Sequence, residues 1–241
     1  MDINEFYDLL TENTLDNENY IKWREIHGRV FGDVFLSAFE ESVEAQIQLT
    51  AALIRISNRD FDGGLAMLLM LEHFCCNYFD FFTLSYFTGL CYEFLENEEM
   101  MNKYYGKMLT YDFDLRFIIA FHPYYRTAKF AQRKSENAKA IEYYNKAYEF
   151  YSDDETDAVK LQNLGQLCCD LGTVYFSVKD YVKSREFLEK SCKFSPAENS
   201  QRSYVLAILC AIEGKKDESK QLVDSLPDNL KAVCEQIISS I

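Results

Sequence analysis

Turn-forming residues are scarce in this chain: 241 residues contain only 9 Gly and 3 Pro. A β-sandwich or barrel needs turn signals about every eight to twelve residues, so this supply excludes both and leaves long helices joined by short loops. A long apolar run is also missing. The longest, Leu65 to Leu71, falls far short of the roughly 20 residues that a membrane-spanning helix requires. Basic charge is in deficit, with 25 Lys and Arg against 39 Asp and Glu and a net charge of −14. Nucleic acid and anionic lipid both demand the opposite balance, so neither is an expected partner.

Chemistry-bearing motifs are missing as well. The three histidines, His27, His73 and His122, are far apart, and there is no HExxH, no GxSxG and no Gly-rich phosphate loop. No catalytic residue, cofactor or metal is therefore expected. His73 and Cys76 stand one helical turn apart, but no second ligand pair follows at finger-like spacing. Glu96, Glu98 and Glu99 read as a solvated charge run. Cys169 has nothing nearby in sequence to lower its pKa. The start, MDINEFYDLL, has no basic segment followed by an apolar run, so the expectation is a cytoplasmic protein with reduced thiols. Cys75-Cys76 and Cys168-Cys169 are adjacent pairs that diverge by about 100° on a helix, which suits core packing better than bridging.

What is present is apolar mass, 48% of the residues, and it is periodic. The tract from Cys168 to Pro196, CCDLGTVYFSVKDYVKSREFLEKSCKFSP, is the most ordered. Leu171, Gly172 and Tyr175 share a stripe of a first helix, and Lys179-Asp180-Tyr181 makes a turn. Phe187, Leu188, Ser191 and Phe194 form a second stripe, which Pro196 ends. This tract resembles a tetratricopeptide repeat (TPR): the Leu-Gly pair, the aromatic three residues later, the Asp-Tyr turn, small Ser184 and Ser191, and the closing proline. It departs in having Cys168 where that family favours Trp and Ser where it favours Ala. The resemblance implies a right-handed superhelix of helical hairpins that binds proteins or peptides on its concave face.

With Gly172 as a ruler, similarly placed small residues occur at Ala52, Gly89, Ala128 and Ala207, so successive spacings are 37, 39, 44 and 35. The expected fold is all-α, an α-solenoid of about five antiparallel hairpins. Residues 1–42 read as N-terminal helices forming a cap or extra hairpin, with Trp23 on one apolar side and Gly28 and Gly32 a turn apart. Residues 43–227 form the repeat array, and 228–241 a C-terminal capping helix. A helix starting early, near Asp157, accounts for the 44-residue interval; a longer loop is the alternative.

In such an array first helices line the groove, and the resemblance nominates Tyr86, Phe87, Leu90, Tyr125, Arg126, Lys129, Arg133, Thr173, Phe176 and Tyr204, with Leu49, Leu53 and Ile208 beside them. Arg126, Lys129 and Arg133 lie at i, i+3 and i+7 within a stretch, Leu115 to Ser135, that has no acid. They read either as a receptor for a partner's acidic group or as a solvated face paired with neighbouring repeats. Leu49, Leu53, Phe87 and Leu90 occupy positions where TPR clamps for heat-shock chaperone tails use Lys and Asn, which argues against that role. The expected function is a non-enzymatic scaffold for a protein segment or peptide, with homodimerisation open. The alternatives are a regulatory or sensor subunit for a small peptide or anionic ligand and, further off, an enzyme on a helical array.

Overall fold

A computed structural model of the chain describes residues 39, 42–110, 121–151, 156–197 and 199–241. The chain divides into two compact units, Met1–Phe113 and Asp114–Ile241. In the first, α1 (Val43–Ser57) pairs with α2 (Phe61–Met70), which runs on into a 3-10 turn at Leu71–Phe74, and α3 (Tyr78–Phe94) pairs with α4 (Glu98–Leu109). In the second, α5 (Phe121–Arg133) pairs with α6 (Asn137–Tyr148), and α7 (Ala158–Ser177) with α8 (Tyr181–Phe194). There too α9 (Ser200–Ile212) pairs with α10 (Lys216–Asp224), and α11 (Asp228–Ser239) packs on α9. No strand occurs among the described residues, so the fold class is the all-α helical-repeat solenoid expected from the turn-poor sequence. The cap expected at 1–42, with Trp23, Gly28 and Gly32, lies outside the described residues apart from Phe39 and Ser42.

All five ruler residues sit within first helices and are buried. Twelve residues after the ruler the second helix crosses it, and there four of five hairpins place a small residue: Gly64, Ala140, Ser184 and Ser219. The reason is contact between backbones. Ser184 Oγ donates to Gly172 O at 2.8 Å, and Ser219 Oγ donates to Ala207 O at 2.9 Å. A Cβ on Gly172 would stand 2.8 Å from Leu188 Cγ and 3.1 Å from Ser184 O. The fifth hairpin breaks the pattern with fully buried Met101, and there Gly89 makes room for the Tyr105 ring, 2.5 Å from where its Cβ would be.

The turns share one geometry. Arg59, Glu96, Ser135, Lys179 and Gly214, each seven residues after its ruler, have φ between 58° and 76°. The next amide closes the helix by donating five residues back, as from Asp180 N to Tyr175 O and from Lys215 N to Cys210 O. Asp60, Asn97 and Asp180 then cap the second helix through their side chains.

The wide 44-residue interval is helix, not loop. Helix α7 has 20 residues, and Asp157 Oδ1 accepts from Lys160 N at 2.9 Å to start it. Its buried face, including Leu164, Leu167, Leu171 and Val174, packs with Ala128, Tyr144 and Phe194 in one core. Each such Leu or Val contributes about 1.5–3 kcal/mol on burial. All eight thiols are free. Cys168 and Cys169 are buried as expected for core cysteines, but Cys75 is half-buried and Cys76 exposed, because the helix has ended at the 3-10 turn.

Candidate functional site

The sequence-nominated residues divide between the two units. Tyr86, Phe87 and Leu90 lie on α3 in the first. Phe87 is only 7% exposed and belongs to the core with Leu49 and Leu53, while Tyr86 and Leu90 are half-buried at its margin. The remaining seven lie on α5, α7 and α9 in the second unit. Ile208, at 2% exposure, packs inward there beside Val223 and Cys234.

A buried carboxylate organises that second set. Asp170 is fully buried on α7 and accepts from Tyr125 Oη at 2.6 Å and from Lys129 Nζ at 3.2 Å, both on α5. Gln201 Nε2, on α9, reaches it at 3.5 Å and donates to Thr173 Oγ1 at 3.1 Å. Thr173 Oγ1 in turn donates to Cys169 O at 2.8 Å. Three successive first helices are thus cross-linked by side chains through one anion. A buried carboxylate needs such donors, since desolvation without them costs several kcal/mol.

This network settles where the basic residues stand. Lys129 is paired across repeats with Asp170. Arg126 is half-buried, and Arg133 is exposed with its guanidinium carbon 5.6 Å from the centre of the Phe130 ring. Phe176 and Tyr204 are half-buried and flank the same apolar clusters, next to Tyr181 and Leu222. Sequence reading missed Asp170 and Gln201. A signal for Asp170 was available, because it is the only charged residue between Leu161 and Val178.

Electrostatics make the wall chemically quiet. Burial, then the Asp170 charge, pushes the Tyr125 hydroxyl well above its usual range, so it remains a donor. The same two causes raise the Cys169 thiol to about 12. Burial, helped by Arg126, lowers His122 to about 4 and keeps its ring neutral at physiological pH. Among the described residues no group of three or more His, Cys, Asp or Glu is placed to hold a metal, and no helix is long and apolar enough to cross a membrane.

Two concavities lie among the helices of this unit. One, of about 730 Å³, lies between α9, α10 and α11, where aliphatic Val223 and Ile238 face it and the charged residues Lys220, Asp224 and Glu235 are exposed. The other, of about 330 Å³, lies where α7, α8 and α9 meet, and Gln162, Asn163, Gln166, Asn199 and Arg202 line it.

The hairpin α7–α8, with its αL turn and its serine packed on the ruler carbonyl, invites comparison with known repeats. Residues 165–198 match the family model described as "Tetratricopeptide repeat". The chain carries a TPR. The fold agrees: YrrB, described as "a TPR protein with an unusual peptide-binding site", has a crystal structure similar to this one with a TM-score of 0.54 at 13% identity. That similarity covers 83% of this chain and 98% of YrrB, and it concerns the fold. No match is found among the curated proteins. Within the matched TPR, Asp170, Thr173 and Phe176 stand on the first helix, so the anion-centred network is built into the repeat that fits the family model.

Proposed function

We propose that this chain is a non-enzymatic scaffold that holds a protein segment or peptide against the first helices of its TPR-like hairpins. The observation that carries this reading is the wall of α5, α7 and α9, where half-buried Tyr125, Thr173, Phe176 and Tyr204 stand on helices locked together through Asp170. Preorganised aromatic and hydroxyl groups on rigid elements lose little freedom on binding, which favours recognition of an extended or helical segment. The likeness in fold to YrrB, itself described as having a peptide-binding site, points the same way. An acidic group on the partner falls to the face of Arg126, Lys129 and Arg133, where it competes with contacts those side chains already make, that of Lys129 with Asp170 among them.

The test is affinity selection from a randomised peptide library, followed by dissociation constants for the enriched sequences. Phe176→Ala with Tyr204→Ala is expected to weaken them on the order of tenfold or more, since aromatic anchors dominate such interfaces. Val182→Ala, at an exposed position on α8, is the control and is expected to leave them unchanged. Absence of any enriched peptide, or equal loss in the control, would reject the scaffold reading.

A further inference from the structure

Arg202 presents an unusual electrostatic situation. Its side chain begins on the first turn of α9, in a helix otherwise free of charge, yet the residue is only 6% exposed. Its Nη1 donates to Ser195 O at 2.7 Å, Ser191 O at 3.1 Å and Ser191 Oγ at 3.3 Å, and its Nη2 donates to Ala197 O at 2.7 Å. Every one of these acceptors is neutral. Among the described residues no carboxylate pairs with the guanidinium. Carbonyls at the end of α8 offset part of the charge through the helix dipole, but a buried cation without a full counter-charge is costly.

The surroundings fit what is missing. Arg202 lines the 330 Å³ cavity, around which stand the side-chain amides of Gln162, Asn163, Gln166 and Asn199, and no acidic residue shares the lining among the described residues. Asn199 is held in place, since its Oδ1 accepts from Arg202 N at 3.0 Å and its Nδ2 donates to Gln166 Oε1 at 3.3 Å. A guanidinium matches a carboxylate in charge and planar geometry, and primary amides can bond an adjoining peptide unit through both their donors and their acceptors. The volume suits one or two residues or a small organic acid, at the lower limit of ligand sites. Nothing here draws on the network around Asp170, and the cavity mixes residues of α7, α8 and α9 with Ser195, Ala197 and Asn199 between helices.

We infer that this cavity is a carboxylate-binding site, with Arg202 as the anion partner and the amide ring recognising the group attached to it. Two sources share this chemistry: the C-terminal carboxylate of a peptide, and a free organic acid.

The experiment is a titration of the 15N-labelled full chain followed by NMR. The signals read are the Arg202 Nε–H and the side-chain amides of Asn163, Gln166 and Asn199. Three probes are compared: acetyl-triglycine with a free carboxylate, the same tripeptide as its C-terminal amide, and succinate. The site predicts saturable shifts with a carboxylate and none with the amide. A response to the tripeptide acid alone assigns a peptide terminus, whereas an equal or stronger response to succinate assigns a small acid. Arg202→Lys keeps the charge but loses the planar donor set and is expected to weaken binding on the order of tenfold. Because Arg202 also holds the Ser195 and Ala197 carbonyls, Gln166→Leu serves as a second variant, with near-normal melting and several-fold weaker binding. Equal response to acid and amide, no saturable response to either acid, or undiminished binding in the folded variants would overturn the inference. The wall substitutions at Phe176 and Tyr204 are expected to leave this titration unchanged, so the two readings fail separately.

Discussion

The two units use the same hairpin but satisfy their buried polar groups in different ways. In residues 114–241, Asp170 is served by donors from two other repeats, so burying the charge couples one hairpin to the next. Among the described contacts of residues 1–113, the buried acids are met by backbone amides or by a side chain of the same hairpin. Asp80 accepts from the amides of Phe39, Cys76 and Asn77, and Glu93 accepts from Tyr105 Oη at 3.0 Å. Packing differs in parallel. The second unit crosses all three of its hairpins on small residues, Ala140, Ser184 and Ser219, whereas the first has Gly64 at one crossing and accommodates Met101 and Tyr105 at the other, and its buried Thr83 and Thr88 hydroxyls have no hydrogen-bond partner. Inter-repeat polar coupling is thus found in the unit where every hairpin crosses closely, and local satisfaction in the unit where one crossing is bulky.

The sharpest way to break that contrast is at the ruler. Gly172→Leu is expected to destabilise by about 3 kcal/mol, because its side chain would enter space held by Leu188 and the Ser184 carbonyl. Gly106, on α4 in the other unit, has nothing within 4 Å of a built Cβ, so Gly106→Ala is expected to be neutral or to gain about 0.5–1 kcal/mol. Urea unfolding of both variants checks the pair, and equal responses would show that close crossing does not set the difference.

Acid sensitivity gives the next effect. His122 has its pKa lowered from 6.5 to about 4, chiefly by burial. Above pH 6.5 the ring is neutral whether folded or unfolded, and no stability depends on it. As the pH falls towards 4 the unfolded chain binds a proton that the folded chain refuses, so stability declines, and below about 4 the loss levels off. The expected loss approaches about 2 kcal/mol, less than the full shift implies because the ring keeps some solvent contact. His122→Gln should flatten the stability of the second unit between those limits, and an unchanged slope would assign the acid limb elsewhere.

A smaller effect separates coupled from local satisfaction. Lys129→Met removes one donor from Asp170 but leaves Tyr125 and Gln201, and the lysine is partly exposed, so a loss of about 1–2 kcal/mol is expected. Adding Asp170→Asn should recover part of it. A double-mutant cycle with no coupling would mean that the network is incidental. Tyr105→Phe is the counterpart in the first unit, with a loss of about 1 kcal/mol.

Much of the fold was legible because hairpin crossings demand small residues at a recurring distance. The rulers at Ala52, Gly89, Ala128, Gly172 and Ala207, and the early start of the helix that holds Gly172, follow from that demand. The wall was less legible. A groove position is defined by what stands opposite it, and Phe87 shows the consequence, since one aromatic at such a position turns into the core when its neighbours leave room. Asp170 and Arg202 announced themselves only as solitary charges in apolar helices. Their partners, Tyr125 at 45 residues' separation and the carbonyls of Ser195 and Ala197, are set by tertiary packing and backbone path, which periodicity does not encode.

The smallest effect concerns what the units share. A left-handed residue seven places after every ruler is needed to reverse the chain, yet only Gly214 is a glycine. At Arg59, Glu96, Ser135 and Lys179 a side chain stands in a conformation that costs about 1–2 kcal/mol, part of which is regained because a glycine would lose more freedom on folding. Ser135→Gly in the second unit and Glu96→Gly in the first are each expected to stabilise by about 0.5–1 kcal/mol, read as a rise in the urea midpoint of the unit concerned. Asn at either site should fall between, since it tolerates this region better than other non-glycine residues. The gains are expected to match between units, because the turn is fixed by the same local backbone in each and is independent of how the helices cross. A gain confined to one unit would mean that the turns bear different loads, and that the contrast between close and bulky crossings extends into the loops.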